Sequence, residues 1–207
     1  MKLKLLLLLI VISGCSSARL VNSYKNPEKT PLTPKKVLVV GINPDMEARQ
    51  AFEYGFQKTF RENGFEIVPS SNYFPSDLFL RKLTLEEVSQ LEEQLIADNY
   101  NAVILARVIS VENKENVLDY VTNLDRYYKS FKIDYYENQP INQMTEKTAG
   151  TRIFHTETGI YHISEGKDRD LIWRGRIDIV NPEKTETSVR HYLKRLAATL
   201  KKENVFN

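Results

Sequence analysis

The chain has 207 residues, with 29 Lys and Arg against 27 Asp and Glu. So near-neutral a balance is a poor basis for phosphate-dominated nucleic-acid binding, which needs a clustered basic surface. A single cysteine excludes an internal disulfide, so the fold must rest on burial, and the length suits one domain.

The chain opens Met1-Lys2-Leu3-Lys4, and an unbroken apolar run follows from Leu5 to Ile12. That run is too short to cross a bilayer core, which takes roughly twenty residues. A basic start, a short apolar stretch and small residues after it predict a secretory signal peptide over residues 1–14. The sequence Ile12-Ser13-Gly14-Cys15 resembles the bacterial lipobox. The resemblance implies a diacylglyceryl thioether on Cys15, cleavage before it and acylation of its amine with fatty acids such as palmitate. Several acyl chains on one residue anchor a protein stably on a membrane. Ser16 stands where an aspartate would resemble an inner-membrane retention signal, which favours the outer membrane, with the domain in the periplasm or at the cell surface. Loss of Lys2 and Lys4 leaves the mature chain with 27 basic and 27 acidic residues.

Residues 15–34 contain Pro27, Pro31 and Pro34 and little apolar content, which predicts a lipidated cysteine followed by a flexible tether spanning about 25 Å. A single globular domain is expected over residues 35–207. Lys36 to Ile42 is a β-branched run fit for a strand covered on both faces. Asp45 is a candidate N-cap for a helix carrying Phe52, Phe56 and Phe60 on one side. Asn63-Gly64 stops that helix, and Phe65 to Pro69 forms a second strand. Residues 70–83 read as a loop, and Thr84 with Glu87 makes a capping box for a helix striped by Val88, Leu91, Leu95 and Ile96. Ala102 to Ile109 is a third strand, completing a β-α-β-α-β half with connections long enough for parallel pairing.

The second half changes character. Residues 151–163 and 170–180 read as an antiparallel hairpin around Glu165-Gly166-Lys167-Asp168. In its second strand Leu171, Trp173, Ile177 and Ile179 point one way, and Arg174, Arg176 and Asp178 the other. A final helix carries Val189, Tyr192, Leu193, Leu196 and Leu200 on one face. The expected fold class is α/β with an α+β tendency: a single mixed sheet flanked by helices. The Lys35 to Val40 strand, the Phe-rich helix and Asn63 to Pro69 are similar in pattern to the lipoprotein group of curli-secretion, TolB N-terminal and penicillin-binding-protein-activator domains. That resemblance covers about residues 35–112 and implies a fold and an envelope habitat.

The sequence offers little for chemistry. Gly41-Ile42-Asn43-Pro44-Asp45 sits where α/β folds bind phosphate, but one glycine and a proline suit a plain capped turn. His155 and His162 lie seven apart in a strand and so face opposite sides, and His191 is on the last helix. No metal or cofactor is expected. Glu86-Glu87 and Glu92-Glu93 read as a solvated helix surface, and Asp168 and Asp170 as turn residues.

The strongest binding signal is residues 119–136, where Tyr120, Tyr127, Tyr128, Phe131, Tyr135 and Tyr136 are interleaved with charges that include Arg126. Tyrosine and arginine combine apolar area with polar tips, as binding hot spots do. The same residues also suit amphipathic strands packed on the domain, and the polar segment 138–150 after them reads as a loop. The expected function is a non-catalytic, membrane-anchored interaction module for an envelope protein or for peptidoglycan or polysaccharide. Two alternatives stand beside it. One is a subunit of an oligomeric envelope assembly. The other is an envelope hydrolase, which requires His155 or His162 within hydrogen-bond range of a carboxylate in a cleft.

Overall fold

The apolar run after Lys36 needs cover on both faces, and it receives it. Val37, Leu38, Val39 and Val40 are each at most 1% exposed in strand β2 (Lys36–Ile42). The computed structural model describes residues 17–43, 45–75, 78, 81–112, 130–137, 153–166, 170–180 and 184–207. Before β2 comes β1 (Ala18–Lys25). After it come α1 (Met46–Thr59), β3 (Glu66–Pro69), the single turn α2 (Ser70–Tyr73), α3 (Leu85–Ala97) and β4 (Ala102–Glu112). The chain continues through α4 (Phe131–Glu137), β5 (Ile153–His162), β6 (Leu171–Val180) and α5 (Thr185–Lys202). The strands form one mixed sheet in the order β1-β6-β5-β4-β2-β3. Pairing of β2 with β3 and with β4 is parallel, and the other neighbours are antiparallel.

Alternation along the strands divides the core in two. Val37, Val39, Ile104, Ile160 and Trp173 face α1 and α5, against Phe52, Phe56, Tyr192 and Leu196. Leu38, Val40, Val103, Leu105 and Tyr161 face α3 and α4, against Val88, Leu95, Phe131 and Tyr135. A register shift between Ile160 and Tyr161 moves Leu171 onto the α3/α4 side, away from Trp173, and puts Ile172 on the α1/α5 side. Leu171 therefore does not share a face with Trp173 as its spacing suggests, because one bulged residue inverts the alternation. No helix among the described residues is long and apolar enough to cross a membrane.

Local signals set the helix starts. Asp45 accepts from the amides of Glu47 and Ala48 at the head of α1, and Gly64 takes φ 82 where that segment turns back into β3. Thr84 and Glu87 form the complete capping box of α3. Thr84→Ala is expected to lower stability by about 1 kcal/mol, measured as a shift of the urea midpoint. Glu92 corrects the expectation of a solvated acidic face. It is fully buried, because it lies four residues after Val88 and three before Leu95, inside the apolar stripe.

The tether expected over residues 15–34 is also corrected: from Ala18 onward these residues belong to the domain. β1 forms the edge of the sheet beside β6, with Ala18 1% exposed. Leu32 is buried and bridges to Phe206, its amide donating to Val205 O and its carbonyl accepting from Asn207 N. Lys25 Nζ donates to the carbonyls of Glu203 and Asn204 beyond α5. Polar composition signals a loop only where backbone groups lack partners, and an edge strand supplies them. Residues 1–14, Cys15 and Ser16 lie outside the described residues.

Candidate functional site

The order β3-β2-β4 makes β2 the point where the chain reverses its direction across the sheet. From there α1 departs on one face and α3 on the other, and a crevice opens at the carboxyl ends of β2 and β4, where open α/β sheets take ligands. A cavity of about 470 Å³ lies at this place, between the sheet, α1 and α5. Its apolar wall includes Phe52, Ala106, Val108, Phe154 and Ile179, and its neutral polar groups include Asn43, Thr156, Ser188 and Tyr192. The Tyr192 hydroxyl pairs with that of Thr158, and burial pushes its pKa up to about 12, so it is a neutral hydrogen-bonding group.

Gly41 lets α1 approach this end of the sheet. A Cβ there would stand 3.1 Å from Arg49 Cγ and 3.3 Å from a Phe52 ring carbon. Asn43 Oδ1 accepts from the Asp45 amide at 2.9 Å, so the turn is a capped strand-to-helix connection. Glu53, fully buried in α1, was invisible to periodicity. β3 ends at Pro69, opposite Val39, and leaves the outer amide of Gly41 without a strand partner. Glu53 takes that amide at 3.0 Å, together with the Ser71 amide at 3.0 Å and the Ser70 hydroxyl at 2.5 Å, with Arg49 Nε 3.9 Å away. The carboxylate thus completes the ladder at the cavity's edge.

On the opposite face, β4, β5 and β6 carry a buried ionic network. Arg107 reaches Asp134 and Glu157, each at 2.6 Å. Arg174 reaches Asp134 at 2.8 Å, and Arg176 reaches Glu157 at 2.9 Å. Tyr161 donates its hydroxyl to Asp134. Burial pushes the Asp134 carboxyl up, but the Arg107 and Arg174 charges outweigh it and hold its pKa below the ordinary carboxylate value. Burial and the Asp134 charge push the Tyr161 hydroxyl well above its usual range.

The same face holds His155, whose Nδ1 is 2.7 Å from Asp178 Oδ1, with Arg19 on the other carboxylate oxygen at 3.0 Å. This histidine is 2% exposed. A histidine–carboxylate pair thus exists, but strand alternation points it away from the cavity that Phe154, Thr156 and Ile179 line. His162 lies on the other face from His155, half-buried, and His191 Nδ1 is 2.9 Å from the Ser17 hydroxyl. Among the described residues no three His, Cys, Asp or Glu side chains come together as a metal site.

The predicted aromatic surface divides. Tyr120, Arg126, Tyr127 and Tyr128 lie outside the described residues, as do segment 138–150 and Asp168. Phe131, Tyr135 and Tyr136 lie on α4, a helix where amphipathic strands were one reading. Phe131 and Tyr135 are 3% and 4% exposed and pack into the core against α3 and the sheet, so neither offers a binding surface. Burial pushes the Tyr135 hydroxyl up to about 12. Tyr136 is half-buried, with Lys82 Nζ 5.4 Å from its ring centre. The spacing 131, 134, 135 is one helical stripe, and it is the signal that could have placed Asp134 inward beside them.

The sequence matches no protein-family model and no curated protein. Among solved structures, this chain is similar to the PelC dodecamer from Paraburkholderia phytofirmans, at 10% identity over 88% of this chain and 96% of that one, with a TM-score of 0.47. A variant PelC dodecamer from the same organism aligns at 13% identity over 87% of this chain and 96% of that one, with a TM-score of 0.44. Lipoprotein GNA1162 from Neisseria meningitidis aligns at 10% identity over 82% of this chain and 99% of that one, with a TM-score of 0.37.

Proposed function

We propose that this chain is a lipoprotein held on a membrane of the cell envelope through lipid on Cys15, and that its domain is a non-catalytic binding module for an envelope protein or glycan. The observation that carries the binding reading is the cavity at the carboxyl ends of β2 and β4. Aromatic walls from Phe52, Phe154 and Tyr192, with neutral donors and acceptors from Asn43, Thr156 and Ser188, complement a sugar ring or an apolar side chain with polar edges. A hydrolase reading has the His155–Asp178 pair in its favour, yet that pair is buried on the other side of the sheet.

The test is in-cell crosslinking and affinity purification of the detergent-solubilised, lipidated protein. Wild type is compared with Ala48→Trp, which fills the cavity from the first turn of α1, and with Tyr127→Ala/Tyr128→Ala. A protein or glycan retained by wild type and lost with Ala48→Trp, in a variant that still melts cooperatively, is the expected result. Loss only in the tyrosine double variant moves the binding surface to residues 119–128. Absence of any retained protein or glycan from wild type overturns the reading.

A further inference from the structure

A lipid on Cys15 reaches the domain almost at once. Ser17 is fixed to the fold, its carbonyl accepting from the Val180 amide at 2.7 Å and its hydroxyl bonded to His191. Cys15 lies two residues earlier, no more than ~7 Å along an extended chain. A domain joined so closely cannot hover; one end of it must meet the membrane surface.

The sheet register identifies that end. Ala18 pairs with Ile179 near the end of β6, and Ile153 at the start of β5 pairs with both Val180 and Glu112, the last residue of β4. Ser17 is therefore at the end of the sheet where β2 and β4 finish and where the cavity lies. An independent observation marks the same end. Met46, Leu85 and Val108 are 46%, 39% and 37% exposed. Met46 opens α1 directly after β2, Leu85 opens α3, whose other end leads into the start of β4, and Val108 lies near the end of β4 at the cavity. The opposite end carries polar turns at Asn63-Gly64, Asp98-Asn99 and Glu165-Gly166.

We propose that the carboxyl end of the sheet is a bilayer-contact face, with Met46, Leu85 and Val108 entering the boundary between headgroups and acyl chains. Exposed apolar side chains gain by leaving water there, and the Cys15 lipid removes the cost of bringing them to the surface. The inference rests on the lipoprotein reading and adds to it which face the membrane covers.

Cys15 is the only cysteine, so in the lipidated protein a new thiol is labelled alone. Met46→Cys, Leu85→Cys and Val108→Cys, each carrying an environment-sensitive fluorophore, are reconstituted as full lipidated chains into phosphatidylcholine/phosphatidylglycerol vesicles. Asn63→Cys and Glu165→Cys serve as controls from the opposite end. The expected result is blue-shifted emission, quenched by brominated lipid, at positions 46, 85 and 108, with water-like emission and no quenching at 63 and 165. Water-like emission at all five, with mass spectrometry showing lipid on the Cys15 peptide, overturns the contact face and leaves the anchor standing. Quenching at 63 and 165 in place of the other three overturns the orientation. An unmodified Cys15 in the exported protein overturns anchor and face together.

Discussion

Asp134→Asn is expected to lower stability by about 3–5 kcal/mol, the usual cost of removing one partner from a buried ion pair, seen as a lower urea midpoint at unchanged slope. Asp134 is 2% exposed and takes Arg107, Arg174 and the Tyr161 hydroxyl on its two oxygens. An amide keeps the shape but removes the charge that both guanidinium groups need. Glu157, the remaining acid among them, is then left to face Arg107, Arg174 and Arg176. Arg19→Ala is the contrast. Its side chain is 72% exposed where it meets Asp178, so solvent screens the pair and the expected loss stays below about 1 kcal/mol. The acid limb gives a second readout. The Asp134 carboxyl titrates lower in the folded than in the unfolded chain. Its contribution is therefore complete above the unfolded value, about 3.9, and is lost as pH falls through the folded value. The gap between wild type and Asp134→Asn should be constant near neutral pH and narrow as pH drops below that unfolded value.

What the sequence disclosed and what it hid follow one division. Elements whose order comes from near neighbours were legible: the run after Lys36, the Asp45 cap, the Thr84–Glu87 box, the alternation from Trp173 to Ile179 and the stripe of α5 each need only a window of ten or so residues. Features closed by distant partners were not. β1 has the composition of a linker and becomes a strand because β6 offers an edge and Glu203 and Asn204 offer carbonyls. Glu53 occupies a helical position that usually meets water, and only the assembled fold encloses it. The ionic network draws on β4, α4, β5 and β6, separated by up to 69 residues between Arg107 and Arg176, and no local pattern encodes such convergence. The cavity is likewise a property of strand order: it exists because β3 and β4 lie on opposite sides of β2.

Gly175→Ala is expected to cost about 1–3 kcal/mol through overpacking alone, and more if Trp173 loses its hydrogen bond. A Cβ at Gly175 would stand 2.1 Å from the Trp173 ring, closer than any atom tolerates, because the indole folds back along β6 over the position two residues on. The ring has little freedom to give way. It is fully buried among the α1/α5 core residues, and its Nε1 donates to Glu203 Oε2 at 2.6 Å, a carboxylate that also accepts from Ser23 on β1. Displacing the indole would therefore loosen the junction of β1, β6 and the end of α5. Trp173→Leu removes the ring and its bond and should cost several kcal/mol by itself, in the range of about 3–5 measured for truncating buried aromatics. The pair should not add: the three atoms nearest an alanine Cβ at 175 all belong to the Trp173 ring, so once the ring is gone that clash goes with it, and the double variant should be little worse than Trp173→Leu. Trp173 is the chain's only tryptophan, so its emission reports the same event directly. Gly175→Ala should shift that emission to the red as the indole moves toward water, whereas additive losses with unchanged emission would mean that the ring does not rest on Gly175.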